Sequence, residues 1–324
     1  MSIVTDLKEK VLNGGLIDKS EAMQLWEVDY DELCSAANEI REKFCSNNFD
    51  ICTIVNGKSG KCSENCKFCS QSSFYHTCAG EYPLLDKESI VKEAMNNAEQ
   101  GMLRFSIVTS GRRLNDKEVD IMCDVIREIR KNTDISICAS FGLLNEEQYR
   151  KLKDAGVARI HNNIETSENN FPNVCTTHTF SDKINAIKAA QKAGLDICSG
   201  GIMGLGENNE DRVDMAFTLR ELNVKSIPVN ILNPIPGTPF ENNKKLTEKD
   251  MCRICAVYRF ILPDAFIRLA GGRGLMENKG RDCFLSGANA AISGNMLTTS
   301  GITFETDLAL LKELNFNPVL CESN

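Results

Sequence analysis

The amino-acid sequence predicts an α/β protein, a (β/α)8 barrel of the TIM type with an N-terminal helical extension. Short runs rich in β-branched and aromatic residues alternate with amphipathic runs of helical length, which is typical of right-handed βαβ units and a parallel sheet. Eight such units are the number that closes a barrel. An open, doubly wound sheet has the same local pattern and stays an alternative, because the eighth strand run is the weakest.

The first 49 residues are predicted to be helical, since apolar residues recur there at spacings of three and four, and we expect them to pack on the main body. The strands that follow are predicted at 50–56, 103–109, 134–140, 157–164, 195–203, 226–232, 265–270 and 288–293. The helices between them are predicted at 86–100, 116–130, 145–155, 181–193, 210–223, 247–262 and 276–285.

Helix ends are marked by residues that favour caps. Asn145, Ser181 and Thr247 lie where N-caps are expected, and Gly156 and Gly194 lie where the chain must leave a helix. No linker, low-complexity run or change in composition divides the chain. We therefore expect a single domain over 1–324, made of the extension (1–49), the barrel (50–300) and a C-terminal segment (301–324).

Composition limits the class of protein. With 42% hydrophobic and 25% charged residues the chain has the composition of a globular protein. A net charge of −8 without a basic cluster argues against nucleic-acid binding. No run is apolar enough to span a membrane, and the N-terminus has no apolar signal core. Fifteen scattered cysteines without an export signal favour a reducing, cytoplasmic setting over a disulfide framework.

One short stretch suggests the chemistry. Cys62, Cys66 and Cys69 form a C-x3-C-x2-C array on the loop after the first predicted strand, at the barrel end where catalytic groups gather. Structural zinc sites use four ligands and leave none open, whereas three thiolates suit a [4Fe–4S] cluster with one open iron. Phe68 could cover such a cluster or stack on a planar ligand. A zinc loop, or three unrelated buried thiols, is the alternative.

Polar and sulfur side chains recur on the predicted strands, where a hydrophobic core favours apolar ones. They are Cys52, Ser106, Cys138, His161, Asn163, Glu165, Cys198, Asn230 and Arg268. His161, Asn163 and Glu165 alternate, so they face the same side of their strand. Burying Asn163, Glu165 or Arg268 costs several kcal/mol unless each is paired or binds a ligand, which favours ligand binding. Each lone cysteine could equally be a small buried hydrophobe.

The C-x3-C-x2-C array with its aromatic residue resembles the signature of the radical S-adenosylmethionine (SAM) superfamily. Within it, the chain is similar to the biotin synthase family from about residue 20 to the C-terminus. The similar stretches, in order, are Ser136-Ile-Cys-Ala-Ser-Phe-Gly, Asn162-Asn-Ile-Glu-Thr-Ser, Ile197-Cys-Ser-Gly-Gly-Ile-Met-Gly-Leu-Gly-Glu, Pro228-Val-Asn and Ile267-Arg-Leu-Ala-Gly-Gly-Arg.

The resemblance implies a sulfurtransferase that converts dethiobiotin to biotin. Radicals made from SAM would abstract hydrogen twice, and a deeper auxiliary iron–sulfur cluster would donate the sulfur. It implies that Cys62, Cys66 and Cys69 hold the [4Fe–4S] cluster. It places SAM at Phe68, Thr109, Asn163, Glu165, His178 and Gly204, and the substrate at His161, Asn163 and Asn230. It places the auxiliary cluster at Cys138, Cys198 and Arg268.

One position departs from the family. Where the family carries a third auxiliary cysteine, in an Arg-Phe-Cys context, this chain has Ser106, and a serine oxygen is a hard, poor ligand for iron in a sulfide cluster. Inward side chains of a barrel stack in layers drawn from alternate strands. Cys52, on strand 1, could therefore replace the missing cysteine, around a cluster whose nuclearity is open. Cys78, on the loop after the C-x3-C-x2-C array, is a second candidate.

The resemblance also implies partners: dethiobiotin, SAM, an electron donor of flavodoxin or ferredoxin type, and a second copy in a homodimer. Two alternatives stay open at this point. One is another radical SAM barrel enzyme, such as a hydrogenase-maturation or amino-acid-modifying relative. The other is a non-catalytic iron–sulfur sensor or scaffold.

Overall fold

A computed structural model describes residues 2–299 and 301–320. Its centre is a closed parallel barrel. The strands are β1 (Asn48–Lys58), β2 (Arg104–Thr109), β3 (Ser136–Ser140), β4 (Val157–His161), β5 (Asp196–Cys198), β6 (Gly201–Met203), β7 (Ser226–Ile231), β8 (Phe266–Leu269), β9 (Ala290–Ser293) and β10 (Asn317–Pro318). β9 pairs with β1, which closes the barrel and excludes the open sheet. The predicted fold class is confirmed.

The fifth barrel strand is interrupted, although the sequence predicts it as one run. β5 and β6 each pair with β7, and the chain bends between them at Ser199 and Gly200. A Cβ atom at Gly200 would lie 1.9 Å from the carbonyl oxygen of Pro228, so glycine is required for this close approach of two backbones. The bend lies next to Asn163, whose Oδ1 accepts a hydrogen bond from the Gly200 N–H at 3.1 Å.

Helices cover the outside of the barrel. They are α1 (Ile3–Leu12), α2 (Lys19–Gln24), α3 (Tyr30–Cys45), α4 (Lys87–Glu99), α5 (Asp116–Asn132), α6 (Glu146–Ala155), α7 (Phe171–Val174), α8 (Phe180–Lys192), α9 (Asn209–Glu221), α10 (Glu248–Ile261), α11 (Arg281–Phe284) and α12 (Phe304–Glu313). The first three form the predicted N-terminal extension, and α3 packs against α10. No helix in the described ranges is long and apolar enough to cross a membrane.

Helix caps explain most of the boundaries. Asn145 and Thr247 are N-caps with complete capping boxes, and Gly156 ends α6 in the left-handed conformation, as predicted. The N-cap prediction for Ser181 is wrong: Thr179 caps α8, and its hydroxyl accepts from the Asp182 N–H. Gly194 follows the end of α8 with φ of +76°.

The helix predicted over 276–285 is wrong in extent. Within that range only the short α11 forms, and a 3-10 turn (Arg273–Leu275) precedes it. Lys279 and Gly280 have φ values of +55° and +88°, so the backbone cannot continue as one right-handed helix through them.

Candidate functional site

The barrel encloses a cavity of about 360 Å³, within the range of small-molecule sites. It gathers most of the side chains that the sequence singles out. Those that line it are Cys52, Phe68, Cys69, Ser106, Cys138, His161, Asn163, Glu165, Cys198, Asn230 and Arg268. The strands therefore bring the C-x3-C-x2-C loop and the predicted inner cysteines to one space.

The loop that carries the three cysteines is shaped by backbone hydrogen bonds. The N–H of Cys62 donates to the carbonyl of Gln71 at 3.0 Å, and the N–H of Cys69 donates to that of Cys66 at 3.0 Å. Burial raises the pKa of Cys62, and it raises that of Cys69 to about 11. These thiols are thus protonated at neutral pH in the metal-free chain, and a metal must displace their protons.

Glu165 lies at the carboxyl end of β4 in an unusual conformation. Its φ of +70° is in the left-handed region, which a non-glycine residue adopts only when its surroundings impose it. One carboxylate oxygen lies 3.8 Å from Lys183 Nζ, and the other, Oε2, is buried without a hydrogen-bond partner among the described residues. An unpaired buried acceptor beside a cavity fits a ligand that donates, such as a hydroxyl group.

Asn230 is held rigidly on β7. Its Oδ1 accepts from the Gly271 N–H at 2.8 Å, and its Nδ2 donates to the Gly201 carbonyl at 3.0 Å. The backbone approaches closely at both glycines. A Cβ atom at Gly201 would lie 2.3 Å from the Glu165 carbonyl oxygen, and one at Gly271 would lie 3.1 Å from Asn230 Oδ1. The amide is therefore presented to the cavity in one fixed orientation.

The inner part of the cavity contains the thiols of Cys52, Cys138 and Cys198. Arg268 Nη1 lies 3.4 Å from Cys52 Sγ, and Ser226 Oγ donates to Cys198 Sγ at 3.2 Å. Ser106 pairs with Cys138 across β2 and β3. Ser106, the position at which the missing cysteine is expected from the sequence, therefore lies beside Cys138. Burial raises the pKa of Cys52 to about 12.

Beneath these thiols lies a buried ion network that sequence reasoning missed. Asp50 is 1% exposed and lies 3.0 Å from Arg268, 3.4 Å from Arg159 and 3.5 Å from Arg104. Burial alone would raise the pKa of Asp50, but Arg268, Arg104 and Arg159 lower it. Arg159 also lies 3.9 Å from Asp196, so three arginines against two carboxylates leave an excess of one positive charge, which suits thiolates and an anionic cluster. The sequence signal for this network was the charged residue near the start of several predicted strands, such as Asp50, Arg104 and Arg159.

Besides Cys62 and Cys66 of the cysteine loop, four predicted site residues do not line the cavity. Cys78 is exposed on the loop, away from the inner cysteines. Thr109 is buried at the end of β2, and the N–H of Gly204 is taken by the Glu207 carboxylate at 2.8 Å. His178 turns away from the cavity, with Nδ1 2.6 Å from Glu64 Oε2.

His178 instead belongs to a cluster beneath the cysteine loop. Its Nδ1 lies 3.3 Å from the Sγ of Cys175, and that sulfur lies 3.7 Å from the Sγ of Cys66. The Cys66 thiol donates to Cys175, and this contact raises the pKa of Cys66 and lowers that of Cys175. Sequence reasoning did not single out Cys175, although its C-x2-H spacing to His178 was a usable signal.

The mouth of the cavity is covered by residues 296–299. The Asn56 Nδ2 donates to the Leu297 carbonyl at 3.1 Å, and Ser70 Oγ and Thr298 Oγ1 lie 3.4 Å apart. Gly294 N–H donates to the Ile302 carbonyl at 2.7 Å, which holds the base of this segment. The cysteine loop and residues 296–299 therefore meet across the entrance.

Comparison with solved structures supports the fold. The chain superposes on methylornithine synthase with a TM-score of 0.82 at 17% identity, covering 97% of each chain. It superposes on the FeFe-hydrogenase maturase from Carboxydothermus hydrogenoformans with a TM-score of 0.82 at 19% identity, covering 99% of this chain and 80% of that one. At these identities the likeness concerns the barrel alone.

Sequence comparison is more specific. The Radical SAM superfamily model matches residues 28–219, and the Biotin and Thiamin Synthesis associated domain matches residues 228–317. The biotin synthase of Brachyspira hyodysenteriae is 62% identical over 98% of this chain and 95% of its own length. That of Clostridium botulinum (Alaska E43) is 56% identical over 98% and 99%. With near-complete coverage at these identities, the chain belongs to the biotin synthase family of radical SAM enzymes.

Proposed function

We propose that the chain converts dethiobiotin to biotin by SAM-dependent sulfur insertion, acting as a sulfurtransferase. The observation that carries this proposal is that inner thiols and the C-x3-C-x2-C loop reach the same cavity at different depths. Cys52 precedes Lys58, the end of β1, by six residues, which is about 20 Å along a strand. A substrate held between the two levels has a radical source on one side and a sulfur source on the other.

The chain's residues fit the cofactors of the family. Cys62, Cys66 and Cys69 would hold a [4Fe–4S] cluster on their loop. When bound, that cluster with SAM supplies radical hydrogen abstraction, and an auxiliary iron–sulfur cluster supplies the sulfur atom. The unpaired Oε2 of Glu165 would accept a hydrogen bond from the SAM ribose.

Substrate positioning is assigned to Asn230 and its neighbours. Its fixed amide would meet the ureido ring of dethiobiotin, and Asn163, locked to Gly200, would orient the region between SAM and substrate. His161 lines the same wall and, because burial lowers its pKa to about 4, stays neutral there. Residues 296–299 over the mouth would exclude water while the radical chemistry proceeds.

For the auxiliary cluster we propose Cys138, Cys198 and Cys52 as thiolate ligands, with Arg268 beside them. Cys52 is favoured over Cys78 because it lines the inner cavity and contacts Arg268, whereas Cys78 is exposed. The positive excess of the Asp50 network would stabilise three thiolates at this depth.

Turnover of dethiobiotin tests the reaction. Reconstituted enzyme with SAM and a one-electron reductant, under anaerobic conditions, should yield biotin and 5′-deoxyadenosine together. Cys69→Ala should abolish both products. Formation of 5′-deoxyadenosine without biotin would indicate a radical SAM enzyme with a different substrate.

Iron and Mössbauer analysis tests the auxiliary site in a background where Cys62, Cys66 and Cys69 are all alanine. We expect a surviving cluster in this background and its loss after the further change Cys52→Ala. Cys255→Ala is the matched control, because Cys255 is also buried but lies in α10, away from the cavity. Survival of the cluster in the Cys52→Ala protein would refute Cys52 as a ligand.

We further propose that residues 1–324 act as one domain, that the enzyme works in the cytoplasm as a homodimer, and that a flavodoxin- or ferredoxin-type protein supplies electrons. Sedimentation of the reconstituted enzyme tests the dimer, and substitution of each protein donor for dithionite in the turnover assay tests the electron source.

A further inference from the structure

We propose that Cys66, Cys175 and His178 form a mononuclear metal site for one divalent ion of the zinc type, separate from any iron–sulfur cluster. The three ligand atoms lie within 4.8 Å of one another. Two of the three residues lie outside the C-x3-C-x2-C loop, and neither Cys175 nor His178 lines the barrel cavity.

The spacing of the atoms matches a single tetrahedral ion. With metal–sulfur bonds of about 2.3 Å, tetrahedral geometry separates two ligand sulfurs by about 3.8 Å, and a sulfur from a histidine nitrogen by about 3.6 Å. The Sγ atoms of Cys66 and Cys175 are 3.7 Å apart, and Cys175 Sγ lies 3.3 Å from His178 Nδ1. A disulfide would instead need the sulfurs at about 2.05 Å.

The two segments that carry the ligands are already fixed to each other. The Lys67 N–H donates to the Val174 carbonyl at 2.9 Å, and the Asn65 Oδ1 accepts from the Thr176 N–H at 2.9 Å. These two hydrogen bonds lie on either side of the Cys66–Cys175 pair and join the two segments that carry it. The sulfurs therefore keep their spacing without metal, which lowers the cost of binding.

Glu64 offers a carboxylate oxygen beside His178 as a fourth ligand. Its Oε2 lies 2.6 Å from His178 Nδ1, accepts from Thr177 Oγ1 at 2.8 Å and lies 3.5 Å from Arg112 Nη1. An ion would replace the proton between His178 and Glu64, and the carboxylate would then move outward to a bonding position. Two sulfurs, one nitrogen and one oxygen suit zinc or ferrous iron.

Cys66 cannot serve two sites at once. Given the proposed function, in which Cys66 binds the [4Fe–4S] cluster, the ion and the cluster exclude each other. The mononuclear site is then a property of the cluster-free chain: zinc there blocks cluster assembly.

Co²⁺ binding to metal-free, reduced protein tests the site without reference to the cluster. We expect intense visible bands of tetrahedral cobalt and a sulfur-to-cobalt charge-transfer band. The double variant Cys62→Ala/Cys69→Ala should keep both, because neither residue belongs to the site. Cys175→Ser and His178→Gln should each weaken Co²⁺ binding by at least about tenfold. Binding that depends on Cys62 and Cys69 but not on Cys175 would overturn the proposal, and circular dichroism checks that each variant folds.

Competition tests the shared ligand. Equimolar Zn²⁺ added before iron and sulfide should reduce cluster formation in the unchanged chain but much less in Cys175→Ser. Equal inhibition of the two proteins would overturn the exclusion between ion and cluster. If no cluster forms in either protein without zinc, the proposed function fails, while the cobalt result still decides the mononuclear site.

Discussion

Replacement of Asp50 by asparagine removes the carboxylate that contacts three buried arginines at once. Its oxygens lie 3.0 to 3.5 Å from Arg268, Arg159 and Arg104. With an effective dielectric constant of about 20, each such contact amounts to about 5 kcal/mol of Coulomb attraction. Repulsion among the arginines and the lost hydration of all four ions offset most of that sum.

Breaking a buried ion network by removing one partner costs about 3–5 kcal/mol, and we expect a loss of this size in the free energy of unfolding for Asp50→Asn. Urea denaturation of the metal-free chain, followed by circular dichroism, measures it. Asp154→Asn is the control, because Asp154 is exposed on α6 and should change stability by less than about 0.5 kcal/mol. A loss below about 1 kcal/mol for Asp50→Asn would show that the arginines do not depend on this carboxylate.

Three further outcomes follow from the geometry. The His161 ring should stay neutral down to about pH 4, because burial lowers its pKa; since the unfolded chain binds that proton near pH 6.5, stability should fall between pH 6.5 and 4. A His161 NMR signal that titrates near pH 6.5 would contradict this, and with three histidines the spectrum is easily assigned by substitution. Cluster loading should release protons and grow stronger as pH rises, because the pKa values of Cys69 and Cys52 are raised to about 11 and 12; an indicator dye in weakly buffered solution detects the release, and its absence would mean that the thiols are already ionised. Gly200→Ala should destabilise the fold by more than about 3 kcal/mol in urea, since its Cβ would meet the Pro228 carbonyl oxygen at 1.9 Å. Gly80→Ala, with no atom within 4 Å of the added carbon, is the control, and equal losses in the two variants would count against the close approach.

The barrel could be predicted from the sequence because its signals are local. Strand runs, capping residues such as Asn145 and the glycine at 156 each act within a few residues of themselves. The failures are of another kind. The bend at Gly200 depends on Pro228 in a neighbouring strand. The break in the helix at Lys279 and Gly280 depends on positive φ values, which the local sequence does not specify.

The site shows the same division. His161, Asn163 and Glu165 all line the cavity, but the alternation on which that expectation rested does not hold, because β4 ends at His161 and Asn163 and Glu165 lie on the loop beyond it. The Asp50 network and the Cys66–Cys175 contact were not predicted, since they join residues far apart in the sequence, 54 positions for Asp50 and Arg104 and 109 for Cys66 and Cys175. His178 was expected at the cavity by analogy, and its ring instead packs edge-on against Phe171, 5.6 Å between centroids, facing Glu64.

The closed base of the barrel prevents molecules from reaching the inner thiols from that end. Asp50, Arg104, Arg159 and Arg268 are all 1–3% exposed and fill the barrel beneath Cys52. Access to the described part of the cavity is therefore expected at the other end, where Phe68 and Thr298 line it and where substrate and SAM would also enter. Iron and sulfide that would rebuild an inner cluster have to enter through the same end of the cavity. Rebuilding the proposed inner cluster would therefore require a cavity free of substrate and product.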